Sequence, residues 1–173
     1  MANVVLIGMP ACGKSTVGVL IAKQLGMDFL DTDVVFQVQQ ARKLQDMIEE
    51  IGIDAFLAKE EACVAGLGCD HTMIATGGSV VYGEKAMRHL HENGVVVYIR
   101  LPFEKIEKRL CNLATRGVTL RPGQSLRDLY DERIPLYEKE ADIVFDPGEK
   151  DIRKTSEALA ETLKTFMEAR DGR

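Results

Sequence analysis

Short apolar runs alternate with amphipathic stretches along almost the whole chain. The runs at residues 3–7, 27–31, 72–76, 95–99 and 142–145 are typical of buried parallel strands. Apolar positions at helical spacing predict helices over residues 15–25, 34–51, 54–67, 84–92, 102–113, 126–140 and 152–169, with a break near Pro135. This alternation predicts an α/β fold in which helices cover both faces of a parallel sheet of about five strands.

Chain length and net charge limit the number of domains and the classes of function that are possible. A chain of 173 residues suits one domain, and a net charge of −5 lacks the basic footprint of a nucleic-acid binder. No apolar stretch is long enough to span a membrane and no charged leader precedes the first strand, so a cytoplasmic location is expected. The four cysteines lack metal-ligand spacing, and no obligate protein partner is evident.

The first strand leads into the sequence GMPACGKST at residues 8–16, which matches the phosphate-binding pattern G-x-x-x-x-G-K-[ST]. Glycines let backbone N–H groups turn around a polyphosphate, while Lys14 reaches the outer phosphates and the Ser15 hydroxyl binds Mg²⁺. The helix that follows adds the partial positive charge of its N-terminus. The chain is therefore expected to bind a nucleoside triphosphate through Gly8, Ala11, Cys12, Gly13, Lys14, Ser15 and Thr16.

Two more segments lie at the carboxyl ends of predicted strands. Residues 31–33 (Asp-Thr-Asp) follow the second strand, and residues 77–79 (Gly-Gly-Ser) follow the third. Ligands of open parallel sheets bind at these strand ends, so the three segments should converge on one cleft. Carboxylates and glycine backbone beside a nucleotide phosphate suit phosphoryl transfer to a small hydroxyl compound.

The chain resembles the shikimate kinase family over nearly its whole length. The phosphate loop, residues 30–33 (Leu-Asp-Thr-Asp), Gly77-Gly78, residues 120–122 (Leu-Arg-Pro) and residues 133–137 (Arg-Ile-Pro-Leu-Tyr) carry the resemblance. It implies a P-loop NTPase three-layer sandwich, a single kinase domain over 1–173, a substrate-binding helical segment at about 33–67 and a mobile lid at about 112–125. The implied activity is phosphorylation of shikimate by ATP and Mg²⁺.

The resemblance also assigns roles to residues. Lys14 stabilises charge on the transferred phosphoryl group, and Arg121 closes onto the phosphates from the lid. Asp31 supports the metal through its water shell, and Asp33 orients the attacking hydroxyl. The remaining implied contacts are Gly77, Gly78 and Arg133 with the acceptor, Arg133 taking its carboxylate, and Arg116 over the adenine.

Simpler roles compete with three of these assignments. Asp31 can serve only as a helix cap, since aspartate is favoured at that position. Arg133 can pair with Asp131 on its own helix, and Arg121 can be a solvated loop residue.

The acceptor site departs from the family pattern at two positions. Leu57 stands where the family has a second substrate-binding arginine, and Ser79 stands where a third glycine is usual. Lys59 is a poor substitute because two residues along a helix is about 200° of turn. Glu60, at i+3 from Leu57, shares its helix face and is expected to be free to meet a cation.

These departures leave three functions open. In the first, shikimate is bound by Arg133, Asp33, the glycine backbone and a basic side chain from elsewhere. In the second, a hydroxy amino acid such as homoserine is the acceptor, with Glu60 binding its ammonium group. In the third, the chain binds a nucleotide without transferring phosphate.

Overall fold

The computed structural model describes residues 2–110 and 118–171, and a five-stranded sheet lies at its centre. The strands are β1 (Asn3–Ile7), β2 (Asp28–Asp31), β3 (Thr72–Ala75), β4 (Gly94–Ile99) and β5 (Ile143–Phe145). They are parallel throughout and lie in the order β2-β3-β1-β4-β5. β1 and β4 are buried at every position, as expected of central strands covered on both faces.

Helices connect the parallel strands. In the described residues they are α1 (Lys14–Leu25), α2 (Thr32–Gln40), α3 (Leu44–Ile51), α4 (Ile53–Ala65), α5 (Glu84–Asn93), α6 (Phe103–Leu110), α7 (Leu126–Glu140) and α8 (Ile152–Asp171), with a 3₁₀ turn at Val80–Tyr82. α1 packs against α8, and α4 packs against α5. With right-handed crossovers these pairs lie on opposite faces of the sheet, which confirms the predicted fold class.

The single helix predicted over residues 34–51 is wrong, because the structure has two helices there. Ala41 adopts a left-handed conformation, with φ of 52°, and ends α2. The Gln37 side chain then accepts a hydrogen bond from the Leu44 N–H at 3.3 Å, so a side chain caps the start of α3. The continuous apolar pattern concealed this turn because residues on both sides of it face the same small core.

The break predicted near Pro135 is also wrong. α7 runs unbroken through Pro135, which lies on its solvent-exposed face. A proline deprives the carbonyl four residues earlier of its helical partner, here that of Asp131, which is exposed as well. Water can bond that carbonyl, whereas the buried Arg133 and Tyr137 keep the helix packed on the sheet.

A second hydrophobic cluster lies outside the central core and joins α2, α3 and α4. It is formed by Phe36, Met47, Phe56 and Cys63, and Leu57 packs against it. The rings of Phe36 and Phe56 meet edge to face at 5.4 Å. This cluster fixes the three helices that carry the acceptor side of the site described below. None of the helices in the described ranges is long and apolar enough to cross a membrane.

Candidate active site

The phosphate loop is a strained turn between β1 and α1. Gly8, Ala11 and Gly13 all have positive φ, at 141°, 64° and 104°. A Cβ on Gly8 would stand 2.8 Å from the carbonyl oxygen of Ile99, so only glycine fits there. Ala11 pays a steric penalty for its left-handed conformation, as residues at ligand-binding turns often do.

Lys14 begins α1 and folds back over this loop. Its ammonium group donates hydrogen bonds to the carbonyl oxygens of Gly8 and Met9, at 2.8 and 2.9 Å, and lies 3.6 Å from the Cys12 sulfur. Lys14 is only 7% exposed, and it contributes to the lining of the cleft beside the loop. Ala11, Gly13 and Thr16 also line the cleft, whereas Cys12 is buried and borders a second cavity described below.

Ser15 and Asp31 meet beside the loop. The Ser15 hydroxyl donates to one Asp31 carboxylate oxygen at 2.5 Å, and the other oxygen accepts from the Asp33 N–H at 3.0 Å, so Asp31 also caps α2. Both predictions for Asp31, cap and metal support, are therefore compatible. A hydroxyl and a carboxylate at an open position fit Mg²⁺, which binds few protein oxygens and keeps several waters.

Asp33 and Glu60 flank Gly77 at the end of β3. A Cβ on Gly77 would stand 2.5 Å from Glu60 Oε1 and 2.7 Å from Asp33 Oδ1, so any larger residue would displace the two carboxyl groups. The Gly77 N–H donates to the Thr32 hydroxyl at 3.1 Å. Because this N–H is used within the protein, Gly77 contributes space for the carboxyl groups rather than an unused donor.

Glu60 is hydrogen-bonded, contrary to the expectation that it is free to meet a cation. It accepts from the Ser79 hydroxyl at 2.7 Å and is 5% exposed. The pKa of Glu60 is raised to about 7, mainly by burial and also by the nearby Asp33 carboxylate, whereas the Ser79 hydrogen bond and the charge of Arg133 act in the opposite direction. With a pKa of about 7 this carboxyl group is only about half ionised at neutral pH, so it is a weaker partner for an ammonium group than an ordinary glutamate.

Arg133 lies behind Gly78 with only 1% of its surface exposed. It donates to the Tyr82 hydroxyl at 3.1 Å and to the Thr119 hydroxyl at 2.5 Å, and its guanidinium carbon lies 5.1 Å from the centre of the Tyr82 ring. A Cβ on Gly78 would be 3.1 Å from its Nη1. These contacts aim a buried cation at the Gly78 backbone.

The competing surface role for Arg133 does not fit this structure. Asp131 pairs instead with Arg127 on the exposed side of α7, at 3.5 Å. Tyr137 supports the buried side by donating to the Gly78 carbonyl oxygen at 2.5 Å.

Leu57 lies beside the cleft rather than in its described lining. Its side chain borders smaller cavities next to Tyr82 and packs on the second hydrophobic cluster, while Phe56 and Glu60 of the same helix line the cleft. Lys59 is exposed and donates to Gln40 at 3.3 Å, away from the site. Lys43, which the sequence reasoning missed, is a basic residue at the cleft edge.

The structure does not bring Arg121 to the phosphate loop. Arg121 donates to Asp54 on α4 at 2.8 Å, and both side chains are exposed. Arg116 lies outside the described residues, as do the first residues of the predicted lid. Arg109, which sequence reasoning overlooked, donates instead to the carbonyl oxygen of Ala11 at 3.0 Å. Its only sequence signal was a basic pair at the end of α6.

Two cavities flank the phosphate loop. The cleft with Asp33, Glu60 and Gly77 has a volume of about 430 Å³. The other, about 460 Å³, is bordered by Arg109 and by Pro147 and Gly148. A polyphosphate on the loop would thus have a nucleoside-sized space on one side and an acceptor-sized space on the other.

Fold and site together define a phosphotransferase that acts on an alcohol group. A family model described as shikimate kinase matches residues 10–165. Shikimate kinase 2 of Salmonella typhimurium is 30% identical over 167 residues, covering 92% of this chain and 91% of the relative. The chain belongs to the shikimate kinase family.

Solved structures agree with this assignment. A shikimate kinase of Acinetobacter baumannii in complex with shikimate superposes with a TM-score of 0.83 at 26% identity, covering 98% of this chain and 94% of that one. The shikimate kinase of Aquifex aeolicus superposes with a TM-score of 0.81 at 29% identity, over 95% and 98% of the two chains. The similarity therefore extends over the helices of the acceptor side as well as the phosphate loop.

Proposed function

We propose that this chain transfers the γ-phosphoryl group of ATP, with Mg²⁺, to a hydroxyl group of shikimate. The observation that carries the proposal is the position of Asp33 in a cleft that opens onto the phosphate loop, with the buried guanidinium of Arg133 behind Gly78 of the same cleft. A carboxylate for the acceptor hydroxyls and a guanidinium for its carboxylate match a hydroxylated acid.

Each group has a role in this proposal. Ser15 and Asp31 hold Mg²⁺, which neutralises charge on the phosphates when bound. Lys14 gives up one of its hydrogen bonds to the loop carbonyl oxygens and donates to the transferred phosphoryl group instead. Asp33 orients the acceptor hydroxyl and accepts its proton. Arg109 borders the second cavity, where the base or ribose of a nucleotide bound on the loop would lie.

The burial and raised pKa of Glu60 argue against the hypothesis that the acceptor is a hydroxy amino acid. That reading needs an ionised carboxylate for the ammonium group, but Glu60 is buried, bonded to Ser79 and has a pKa raised to about 7. Homoserine therefore serves as the comparison acceptor. A nucleotide-binding protein without activity is opposed by the intact arrangement of Lys14, Asp33 and Arg133.

ADP release by the purified chain tests the proposal, with ATP, Mg²⁺ and either shikimate, homoserine or no acceptor. We expect turnover when shikimate is the acceptor, and none with homoserine or without an acceptor. Turnover with homoserine and not shikimate would mean that the acceptor pocket is tuned to an amine, and no turnover with either would contradict the kinase assignment.

Asp33→Asn sharpens the same test. The amide keeps the shape of the side chain but cannot accept the hydroxyl proton, so kcat should fall by about 10²–10⁴. ATP binding should stay unchanged, because Asp33 contacts the acceptor side of the cleft. Normal turnover in the variant would reduce Asp33 to a residue of the first turn of α2.

A further inference from the structure

Glu60 is a buried acid in the acceptor cleft that the proposed transfer does not use. Ser79 donates to its Oε2, and its Oε1 faces the same point above Gly77 as Asp33 Oδ1. Two carboxyl groups thus border the place where the acceptor enters. Crowded carboxylates cannot both ionise without cost unless a cation lies between them.

No described basic side chain forms an ion pair with Glu60. The charge of Arg133 on α7 favours ionisation of Glu60, but its guanidinium bonds Tyr82 and Thr119 rather than Glu60. One turn before Glu60 on the same helix face is the apolar Leu57. The negative charge of Glu60 is therefore poorly compensated when it forms.

The groups around Glu60 determine the pH at which its carboxyl group ionises. Asp33 of α2 opposes ionisation, whereas Ser79 and Arg133 favour it. Cys63 on the same helix has its pKa raised by burial and by Glu60 itself, and burial also raises the pKa of Tyr82, so both stay neutral near pH 7. Lys14, Asp31 and Lys43 line the same cleft. Burial raises the pKa of Glu60 to about 7, so its carboxyl changes charge near neutrality.

We propose that Glu60, positioned by Ser79, is a specificity-determining residue that admits an anionic acceptor by taking up a proton as the acceptor binds. The inference rests on the proposed function, since it requires an acceptor that carries a carboxylate. The proton comes from solvent and adds to the Glu60 carboxylate, and no bond of the acceptor changes. Neutral Glu60 removes one negative charge from the cleft and can donate a hydrogen bond to an acceptor hydroxyl, whereas ionised Glu60 repels the acid.

Calorimetric titration of the unaltered chain with shikimate, without nucleotide, tests this directly. Repeating the titration in buffers of different ionisation enthalpy measures the protons taken up. We expect net uptake at about pH 7.5 and a Kd that weakens about fivefold to tenfold between about pH 6 and about pH 8. Phosphate groups do not contribute, because no nucleotide is present.

Variants test whether Glu60 is the residue that takes up the proton. Glu60→Gln is always neutral, so it should bind shikimate without proton uptake and with a Kd that is flat over this range. Ser79→Ala removes a bond to the charged form, so its uptake should move to higher pH. Glu61→Gln is the matched control, because Glu61 lies on the same helix but accepts from the Lys85 N–H outside the cleft. It should behave as the unaltered chain.

The outcomes separate the two proposals. If the unaltered chain does not bind shikimate, the proposed function fails and this inference fails with it. If it binds shikimate without taking up a proton, only the inference is overturned. The same holds if Glu60→Gln retains the uptake. Proton uptake by the unaltered chain can overturn the inference by itself, so the test remains decisive even if the Glu60 variant does not fold.

Discussion

The two sides of the cleft are built in different ways. Most of the phosphate side comes from one continuous segment, residues 8–16, whose positive φ angles and carbonyl contacts to Lys14 are local. The acceptor side combines Asp33 of α2, Glu60 of α4, the glycines after β3 and Arg133 of α7. A local motif fixes its own geometry, whereas a site assembled from distant elements can change at one position and compensate at another. Leu57 and Ser79 are changes of this second kind.

The largest expected effect is on the phosphate side, with Lys14→Ala. Removing the cation that balances charge on the transferred group should lower kcat by about 10³-fold or more. Shikimate binding measured by calorimetry should be unchanged, because the acceptor side keeps all its contacts. Lys23→Ala, at an exposed position on the same helix, is the control. An equal loss of shikimate binding in Lys14→Ala would show that the two sides are not independent.

An intermediate effect is expected on the acceptor side, with Arg133→Lys. A lysine keeps the charge but loses the planar fork that bonds Tyr82 and Thr119 while facing Gly78. The KM for shikimate should rise about tenfold to a hundredfold, since a charge-assisted hydrogen bond is lost. The KM for ATP should not change.

Two measurements guard this result. Arg127→Lys on the exposed side of α7 should have little effect on either KM. Thermal unfolding of Arg133→Lys checks that the buried contacts still hold the helix in place. If only the KM for ATP rose, Arg133 would act on ATP rather than on shikimate, and the prediction would be wrong.

The sequence predicted the parts that depend on short-range pattern. The short buried strands, the phosphate loop and the Asp31 cap follow from neighbours within a few residues. The state of Glu60 could not be foreseen in this way, because its partner Ser79 lies 19 residues away and belongs to another element. Arg109 was missed for a similar reason: its contact with Ala11 spans 98 residues. The turn at Ala41 was missed because the apolar spacing continues across it.

A smaller effect is expected at the nucleoside cavity. Arg109→Ala removes a hydrogen bond to the phosphate loop and one wall of the second cavity, so the KM for ATP should rise about threefold to tenfold. Shikimate binding should be unaffected. Arg153→Ala is the control, because Arg153 is exposed and pairs with Glu157 on its own helix. An unchanged KM for ATP would remove Arg109 from the nucleotide site and leave the second cavity without a role.

The smallest effect concerns the contact that joins the two sides, between Arg121 and Asp54. Arg121 is predicted to close onto the phosphates, yet it donates to Asp54 at 2.8 Å on the acceptor-side helix. If closure requires breaking this bond, Asp54→Ala should lower the KM for ATP, by less than about fivefold because exposed ion pairs are weak. Asp46→Ala on the neighbouring α3 is the control.

A double-mutant cycle decides whether this contact acts through Arg121. In an Arg121→Ala background the further change Asp54→Ala should have no effect on the KM for ATP, because the competing bond is already gone. High salt should also diminish the effect of Asp54→Ala in the unaltered background, since it screens the pair. An Asp54→Ala effect that persists without Arg121 would mean that Asp54 acts on the acceptor helix itself, and Arg121 would then be a solvated residue rather than a link between the two sides.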